Sequence, residues 1–185
     1  EQKLPFVMGT TGGDREKLMQ GVNDAKHFAV IAPNMAKQIV AMQAALENLA
    51  DKFPGCFSSY KIACTESHQT SKADTSGTAK AVIDSLGKLS DDEFTYDDIK
   101  MIREESAAMD FRVPEDALNG HAFHRYTLKS ADGSTEFALE HNVAGRAIYA
   151  EGTADAVKFL AGRLHEESEG RVYSMIDVLE AGGLE

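Results

Sequence analysis

The stretch Leu-Pro-Phe-Val-Met-Gly-Thr-Thr-Gly-Gly, residues 4–13, decides the fold class. A short apolar run that ends in a glycine-rich turn is typical of a strand that leads directly into a helix. The next segment has apolar Leu18 and Val22 at helical spacing and extends to about residue 26. Asp14 stands where a capping side chain is expected. The stretch therefore predicts a strand–turn–helix unit.

The segment after this helix repeats the arrangement. Residues 28–32, Phe-Ala-Val-Ile-Ala, are all apolar, as expected of a strand in a parallel sheet that is covered on both faces. A longer helix is predicted from about Ala36 to Lys52, and Pro54 ends it. Strand, helix, strand and helix in this order predict the α/β tail of a Rossmann-like domain.

The pattern changes after Pro54 and predicts an α+β domain with a mixed β-sheet. The predicted elements are a strand (57–65), a helix (78–89), a short strand or helix (97–103), a hairpin (122–128 with 135–142) and a closing helix (153–167) with Thr153 at its cap. Asp132-Gly133 between two alternating runs is a strong hairpin signal.

Composition limits the classes of partner. The chain has 185 residues, of which 43% are hydrophobic and 26% charged, which is typical of a soluble globular protein. A net charge of −11 repels phosphate backbones and anionic lipid, so neither nucleic acid nor a membrane is an expected partner. An anionic substrate would instead need a local basic pocket. Cys56 and Cys64 lack the spacing of a disulfide framework or a structural zinc site.

The segment Glu66–Ala79 combines the features of such a pocket. His68 and Lys72 follow a predicted strand, and they offer a group that moves protons near neutral pH and a compact cation. Ser76-Gly77-Thr78 then opens a helix, whose first N–H groups attract an anion. The segment indicates an anion pocket with a proton donor. The alternative is an ordinary helix cap beside two surface residues.

The other histidines give weaker indications. His121 and His124 are three residues apart, which places them on opposite faces of a strand. A metal site with His141 is disfavoured because no acidic or thiol ligand stands at a useful spacing. We therefore predict no metal site.

Three ordered motifs together resemble dihydrodipicolinate reductases. They are Gly9-Thr10-Thr11-Gly12, Ala32-Pro33-Asn34, and the series Glu66, His68, Lys72-Ala73-Asp74, Ser76-Gly77-Thr78-Ala79. Tyr149–Thr153 also resembles the start of the closing helix of this family. Two departures are Gln69 at the second histidine of the family motif and the loss of one residue, with its proline, between Asp74 and Ser76. Both resemble the plant and algal form, which implies the plastid stroma; otherwise a soluble cytoplasmic protein is implied.

The resemblance implies the reduction of 4-hydroxy-tetrahydrodipicolinate to tetrahydrodipicolinate, in lysine biosynthesis by the diaminopimelate route, with NADPH or NADH. It implies His68 as the first candidate for the proton donor and Lys72 as the second catalytic residue. The implied ligands of the dicarboxylate substrate are Gln69, Lys72, Ser76, Gly77 and Thr78. The implied cofactor-binding residues are Gly9, Thr10, Thr11, Ala32, Pro33, Asn34 and Met35.

The same resemblance implies three parts of the chain. Residues 1–34 would be the C-terminal part of the nucleotide-binding domain, and residues 35–150 a domain for substrate binding and oligomerisation. Residues 151–185 would be a closing helix and tail that pack back on the nucleotide-binding domain. A homo-oligomer is implied. Because the chain starts midway through the nucleotide-binding domain, we expect it to be inactive alone. The alternative is a non-catalytic module for oligomerisation or anion binding.

Overall fold

A computed structural model describes residues 4–10 and 13–182 of the chain. Thr11, one of the predicted cofactor residues, lies outside the described residues. Contacts divide the chain into two units, one formed by Glu1–Met42 with Ala147–Glu185 and one by Gln43–Arg146. Among the helices described, none combines the length and the apolar character that a bilayer span requires.

The elements in chain order are β1 (Phe6–Met8), α1 (Arg15–Asp24), β2 (Ala29–Ile31), α2 (Lys37–Lys52), β3 (Tyr60–His68), α3 (Gly77–Leu89), β4 (Lys100–Ile102), α4 (Glu105–Asp110), β5 (His121–Ser130), β6 (Glu136–Ala144), α5 (Ala147–Glu166), β7 (Val172–Tyr173) and α6 (Met175–Glu180). Single 3-10 turns at Tyr96–Asp98 and Glu115–Ala117 precede β4 and β5.

The first unit is built on a parallel sheet in the order β1-β2-β7. Successive side chains of β2 enter different clusters: Val30 packs with residues of α5 and α6, and Ala29 and Ile31 pack with Val22 of α1. The sheet is therefore covered on both faces, which is why β2 has no polar residue. The predicted strand–helix–strand–helix order is confirmed. Asp14 caps α1 by accepting a 3.0 Å bond from the backbone N–H of Lys17.

The second unit holds a mixed sheet in the order β4-β3-β5-β6, in which β4 runs parallel to β3 and the other pairs are antiparallel. The predicted hairpin is β5–β6. Its turn is fixed by Asp132, which accepts bonds from Ser130 and Ser134, and by Gly133 at a φ of 73°. The predicted mixed sheet is confirmed.

Two predicted boundaries were wrong. The strand predicted at 57–65 is β3, which extends to His68, so His68 ends a strand and does not belong to a loop. The closing helix begins at Ala147, and Thr153 is inside it instead of capping it. The Thr153 hydroxyl donates to the carbonyl of Tyr149 one turn earlier, a bond that a threonine forms within a helix. The ambiguous segment 97–103 forms the short strand β4.

Among the described glycines of the first unit, Gly152 has the least space. A Cβ built on it would lie 1.7 Å from the carbonyl oxygen of Met35, whereas one built on Gly162 of the same helix would meet no atom within 4 Å. We expect Gly152→Ala to lower the free energy of unfolding by about 3 kcal/mol through this backbone clash. Gly162→Ala should raise it by roughly 0.5–1 kcal/mol because alanine favours the helix. Urea unfolding of both variants is the measurement, and equal midpoints would contradict the clash.

Candidate active site

Glu66 is the central charged group of the Gln43–Arg146 unit. It is 0% exposed on β3, directly opposite His124 of β5. Its Oε1 accepts a bond from the guanidinium of Arg103, and its Oε2 accepts a 3.0 Å bond from the backbone N–H of Ser76. A buried carboxylate is stable only with such partners. Glu66 thus joins the end of β4 to the start of α3.

Arg103 also holds the segment between β3 and α3. Its Nε donates to the carbonyl of Lys72 at 2.7 Å, and its Nη2 donates to the carbonyl of Asp74 at 3.2 Å. Its Nη1 donates to the carbonyl of Ile102 at 3.0 Å. The position of the predicted anion-binding segment therefore depends on one guanidinium, from the residue that follows β4.

A chain of buried side chains lies beside Glu66 on the same face of the sheet. His68 Nε2 is 3.1 Å from His124 Nε2, and His124 Nδ1 is 2.8 Å from the Tyr126 hydroxyl. His68 Nδ1 is 3.1 Å from the carbonyl oxygen of His121. The ring of His141 from β6 stacks on His124 at a centroid distance of 4.6 Å.

Burial keeps these histidines neutral. Burial, followed by the positive charges of Arg103 and Lys72, lowers the pKa of His68 to about 4. Burial and the neighbouring His141 lower the pKa of His124 to about 2, and burial alone lowers the pKa of His141 to about 4. A bound anion would act in the opposite direction on His68, because a nearby negative charge favours the protonated ring.

The start of α3 presents an open edge at Gly77. Ser76 caps the helix, since its Oγ accepts a 3.2 Å bond from the N–H of Thr78, and its own N–H is bonded to Glu66. Gly77 is exposed, and a Cβ built on it would meet no atom within 4 Å. Lys72 Nζ lies 2.8 Å from exposed Asp74 and lowers the pKa of that carboxyl. Gln69 is partly exposed next to His68. The structure thus brings the predicted substrate residues to one end of the sheet.

The described cofactor candidates lie in the other unit, at the carboxyl ends of β1 and β2, where open α/β sheets bind ligands. Ala32 and Met35 are buried in the core, whereas Gly9, Thr10 and Pro33 are exposed. Asn34 caps the turn into α2, because its Oδ1 accepts a 2.8 Å bond from the N–H of Ala36.

Sequence reasoning missed most of the buried cluster. Arg103, His124, Tyr126 and His141 had no predicted role, and Glu66 was named only as part of a motif. Strand alternation placed His124 and Tyr126 on one face, but only the pairing of β3 with β5 brings Glu66 to them. The sequence shows no acidic or thiol ligand at a useful spacing from these histidines, but in space the ligand atoms of Glu66, His68 and His124 lie within 4.8 Å of one another. Both Glu66 oxygens already accept bonds, and the Arg103 charge opposes a cation there.

Comparison with known proteins decides the family. The model of the family described as "Dihydrodipicolinate reductase, C-terminus" matches residues 38–179. The chain belongs to the dihydrodipicolinate reductase family. Over 98% of its length it is 51% identical to chloroplastic 4-hydroxy-tetrahydrodipicolinate reductase 1 of Arabidopsis thaliana and 50% identical to the probable chloroplastic reductase 1 of Oryza sativa. The resemblance to the family, and to its plant members, is confirmed.

The chain spans about half the length of these relatives, 52% of the Arabidopsis protein and 53% of the rice protein. Among solved structures it is similar in fold to a dihydrodipicolinate reductase from Paenisporosarcina sp. TG-14 with bound dipicolinate. The TM-score is 0.53 at 22% identity, covering 92% of this chain and 63% of that one. The fold of the C-terminal region of the family is therefore the fold of this chain.

The Glu66–Arg103 pair can be tested by a double-mutant cycle. Arg103→Met leaves a buried carboxylate without its counter-ion, and we expect a loss of about 3 kcal/mol in the free energy of unfolding. Glu66→Gln keeps one acceptor oxygen, for either Arg103 or Ser76, and sets its NH2 group against the other donor, but it buries no unpaired carboxylate and should lose less. The loss in the free energy of unfolding of the double variant should be smaller than the sum of the two single losses. Arg112→Met, which breaks an exposed pair with Glu140, is the control and should lose under about 1 kcal/mol. Additive losses would contradict the pairing.

Proposed function

We propose that this chain is the substrate-binding part of an NAD(P)H-dependent 4-hydroxy-tetrahydrodipicolinate reductase of lysine biosynthesis. The observation that carries the proposal is the convergence of His68, Lys72 and the open helix start at Gly77, in a chain of this family. The plastid stroma is the proposed location, because the plant relatives are named chloroplastic.

The proposed substrate is a dicarboxylate, which a chain of net charge −11 binds only through local positive potential. Lys72 supplies a point charge once it exchanges Asp74 for a substrate carboxylate. The first turn of α3, Ser76–Thr78, supplies the positive end of the helix dipole, and Gly77 leaves space for close approach. Gln69 supplies a neutral amide donor.

His68 is the proposed proton donor. A bound nicotinamide would supply the hydride, and the electron density that this leaves on the substrate ring has to be protonated. Both ring nitrogens of His68 have internal partners, the His121 carbonyl at Nδ1 and His124 at Nε2. We take Nε2 as the atom that delivers the proton, by turning from His124 to the substrate. The dianion raises the pKa of His68 from its resting value of about 4, so that ring protonation and substrate binding occur together.

The residues proposed for the nicotinamide end of NADPH or NADH are Gly9, Thr10, Thr11, Ala32, Pro33, Asn34 and Met35. Gly9 fits this role because a Cβ there would lie 2.8 Å from Met35 Cγ, so glycine keeps the end of β1 closely packed. In the proposed organisation, 1–34 and 151–185 belong to the nucleotide-binding part and 35–150 to the substrate-binding part.

A second candidate is a non-catalytic module for anion binding or homo-oligomer formation. It is favoured by β6, which lies at an end of the four-stranded sheet and carries half-exposed Phe137. Titration of the chain with pyridine-2,6-dicarboxylate separates the two candidates. The absence of binding supports the oligomer-forming module, and tight binding supports a dicarboxylate site. Turnover in a protein that spans the full length of the plant relatives then separates the reductase from a non-catalytic anion-binding module.

His68→Ala should lower kcat by about 100-fold or more in a protein that spans the full length of the plant relatives, because a general acid is lost. The KM for the dicarboxylate should change little. His165→Ala, at an exposed position of α5, is the control. Steady-state kinetics are the measurement, and near-normal turnover would remove His68 from the proposed role.

Lys72→Ala should raise the KM for the dicarboxylate about tenfold and lower kcat as well. The reason is that the lysine charge would attract the substrate carboxylate in the bound complex and also in the transition state. Lys129→Ala, on an exposed position of β5 far along the strand, removes the same net charge from the protein and should leave both constants unchanged. An unchanged KM in the Lys72 variant would count against Lys72 as a substrate ligand.

A further inference from the structure

We propose that His124 and Tyr126 are positioning residues for His68, and that the three side chains form a hydrogen-bonded chain that reverses direction when His68 takes up a proton. The inference deepens the proposed function and rests on it, since it concerns the proton that His68 delivers. Neither His124 nor Tyr126 is proposed to touch the substrate.

The direction of the bonds at rest follows from the acceptors. The His121 carbonyl can only accept, so His68 carries its proton on Nδ1 and a lone pair on Nε2. His124 must then donate from Nε2 across the 3.1 Å contact. Its Nδ1 is left as an acceptor, and the Tyr126 hydroxyl donates to it at 2.8 Å. The resting chain therefore points from Tyr126 through His124 to His68.

A proton on His68 Nε2 requires the opposite direction. That atom becomes a donor, so His124 has to accept at Nε2 and carry its own proton on Nδ1. The Tyr126 hydroxyl then accepts from Nδ1. At these three side chains the resting state holds three N–H or O–H protons and the charged state four, so one proton from solvent is gained and no covalent bond other than N–H or O–H changes. Each ring nitrogen of the two histidines and the Tyr126 oxygen keeps a partner in both states, although in the charged state the remaining O–H of Tyr126 has no acceptor among these three side chains.

Because these side chains are buried, their hydrogen bonds have to reverse direction when His68 is protonated. His124 and Tyr126 are each 1% exposed, so water cannot replace a missing partner. An unsatisfied buried donor costs about 1–3 kcal/mol. A hydroxyl is suited to the end of the chain because the same oxygen donates in one state and accepts in the other. A phenyl ring of the same shape does neither.

The charged groups around these three side chains determine whether protonation of His68 is favoured or opposed. Glu66 Oε2 of β3 lies 3.9 Å from His68 Nε2 and favours a charged ring, whereas Arg103 after β4 and Lys72 oppose it. The His121 carbonyl of β5 favours a charged His68 ring and the His121 ring opposes it to a smaller extent, whereas His141 of β6 opposes charge on His124. Buried Cys64 and Tyr126 are uncharged near neutral pH because burial raises both of their pKa values. These groups stay in place when the Tyr126 hydroxyl is removed.

The charge on His68 polarises His124, and a polarised donor strengthens the bond that Tyr126 accepts. Removal of the hydroxyl therefore costs more in the protonated state than in the resting state. Tyr126→Phe should lower the pKa of His68 in the substrate complex. Because a general acid works in its protonated form, activity is lost as pH rises through this pKa, and the loss should occur at lower pH in the variant.

The activity test is the pH profile of kcat in a protein that spans the full length of the plant relatives. In Tyr126→Phe the falling limb at high pH should move down by about one pH unit, with the KM for the dicarboxylate unchanged. Tyr60→Phe, whose ring packs on Phe57 and Phe137, is the matched control and should keep the native profile. A Tyr126→Phe profile that superimposes on the native one would overturn the inference.

Variants of His124 distinguish positioning from simple packing. His124→Leu removes the hydrogen bonds of His124 to His68 and to Tyr126 in both states, and it should lower kcat at neutral pH more than tenfold. His124→Gln should recover most of this loss, because its amide can donate or accept by rotation. Equal kcat values for the two variants, measured on samples with native circular dichroism, would contradict a role in proton positioning.

The resting direction is tested without activity by ¹⁵N spectra of the imidazole rings in the 185-residue chain. The expected result at neutral pH is a proton on Nδ1 of His68 and on Nε2 of His124. A proton on Nδ1 of His124 would overturn the resting arrangement. If His68→Ala leaves turnover intact, the proposed function fails, and these spectra still decide whether the chain of bonds exists.

Discussion

The ion pair between Glu66 and Arg103 is the interaction on which the rest of the site depends. Two charges taken out of water are costly unless each finds several partners, and here each does. Glu66 accepts from Arg103 and from the first backbone N–H before α3, and Arg103 donates to the carbonyls of Lys72 and Asp74. One pair thus joins a strand end, a helix start and the segment between them. This arrangement orders a segment that would otherwise have few buried contacts.

Burial, more than this pair, keeps the cluster of histidines beside it uncharged. Burial alone disfavours imidazolium, and the guanidinium of Arg103 adds repulsion at His68. In the proposed function, Arg103 and Lys72 supply the positive potential, and His68 is a third group that becomes charged when an anion binds. Binding of a dianion and uptake of a proton are then linked, and each favours the other. Without the anion, His68 therefore stays neutral, and its positive charge forms only together with the bound negative charge.

Local sequence predicted the elements of the fold but not the partners across the sheets. Asp14, the apolar run 28–32 and Asp132-Gly133 act through neighbours in sequence, and each forms the structure that its pattern indicated. The end of β3 was placed three residues early, because polar Glu66, Ser67 and His68 do not resemble strand residues until buried partners are known. Arg103 lies 37 residues from Glu66, and no local rule selects it among the cations of the chain. Long-range pairing was therefore the part that sequence reasoning could not supply.

Gln69 can be understood from the same electrostatics. The family motif has a second histidine at this position, where this chain has a neutral amide. A further imidazole next to His68 would compete for the proton that a bound anion induces, since two adjacent rings of like charge repel each other. With glutamine there, and with burial lowering the pKa of His124 further than that of His68, His68 is the ring beside Lys72 that we propose takes that proton. In this form of the site one residue both responds to the anion and, in the proposed mechanism, donates to it.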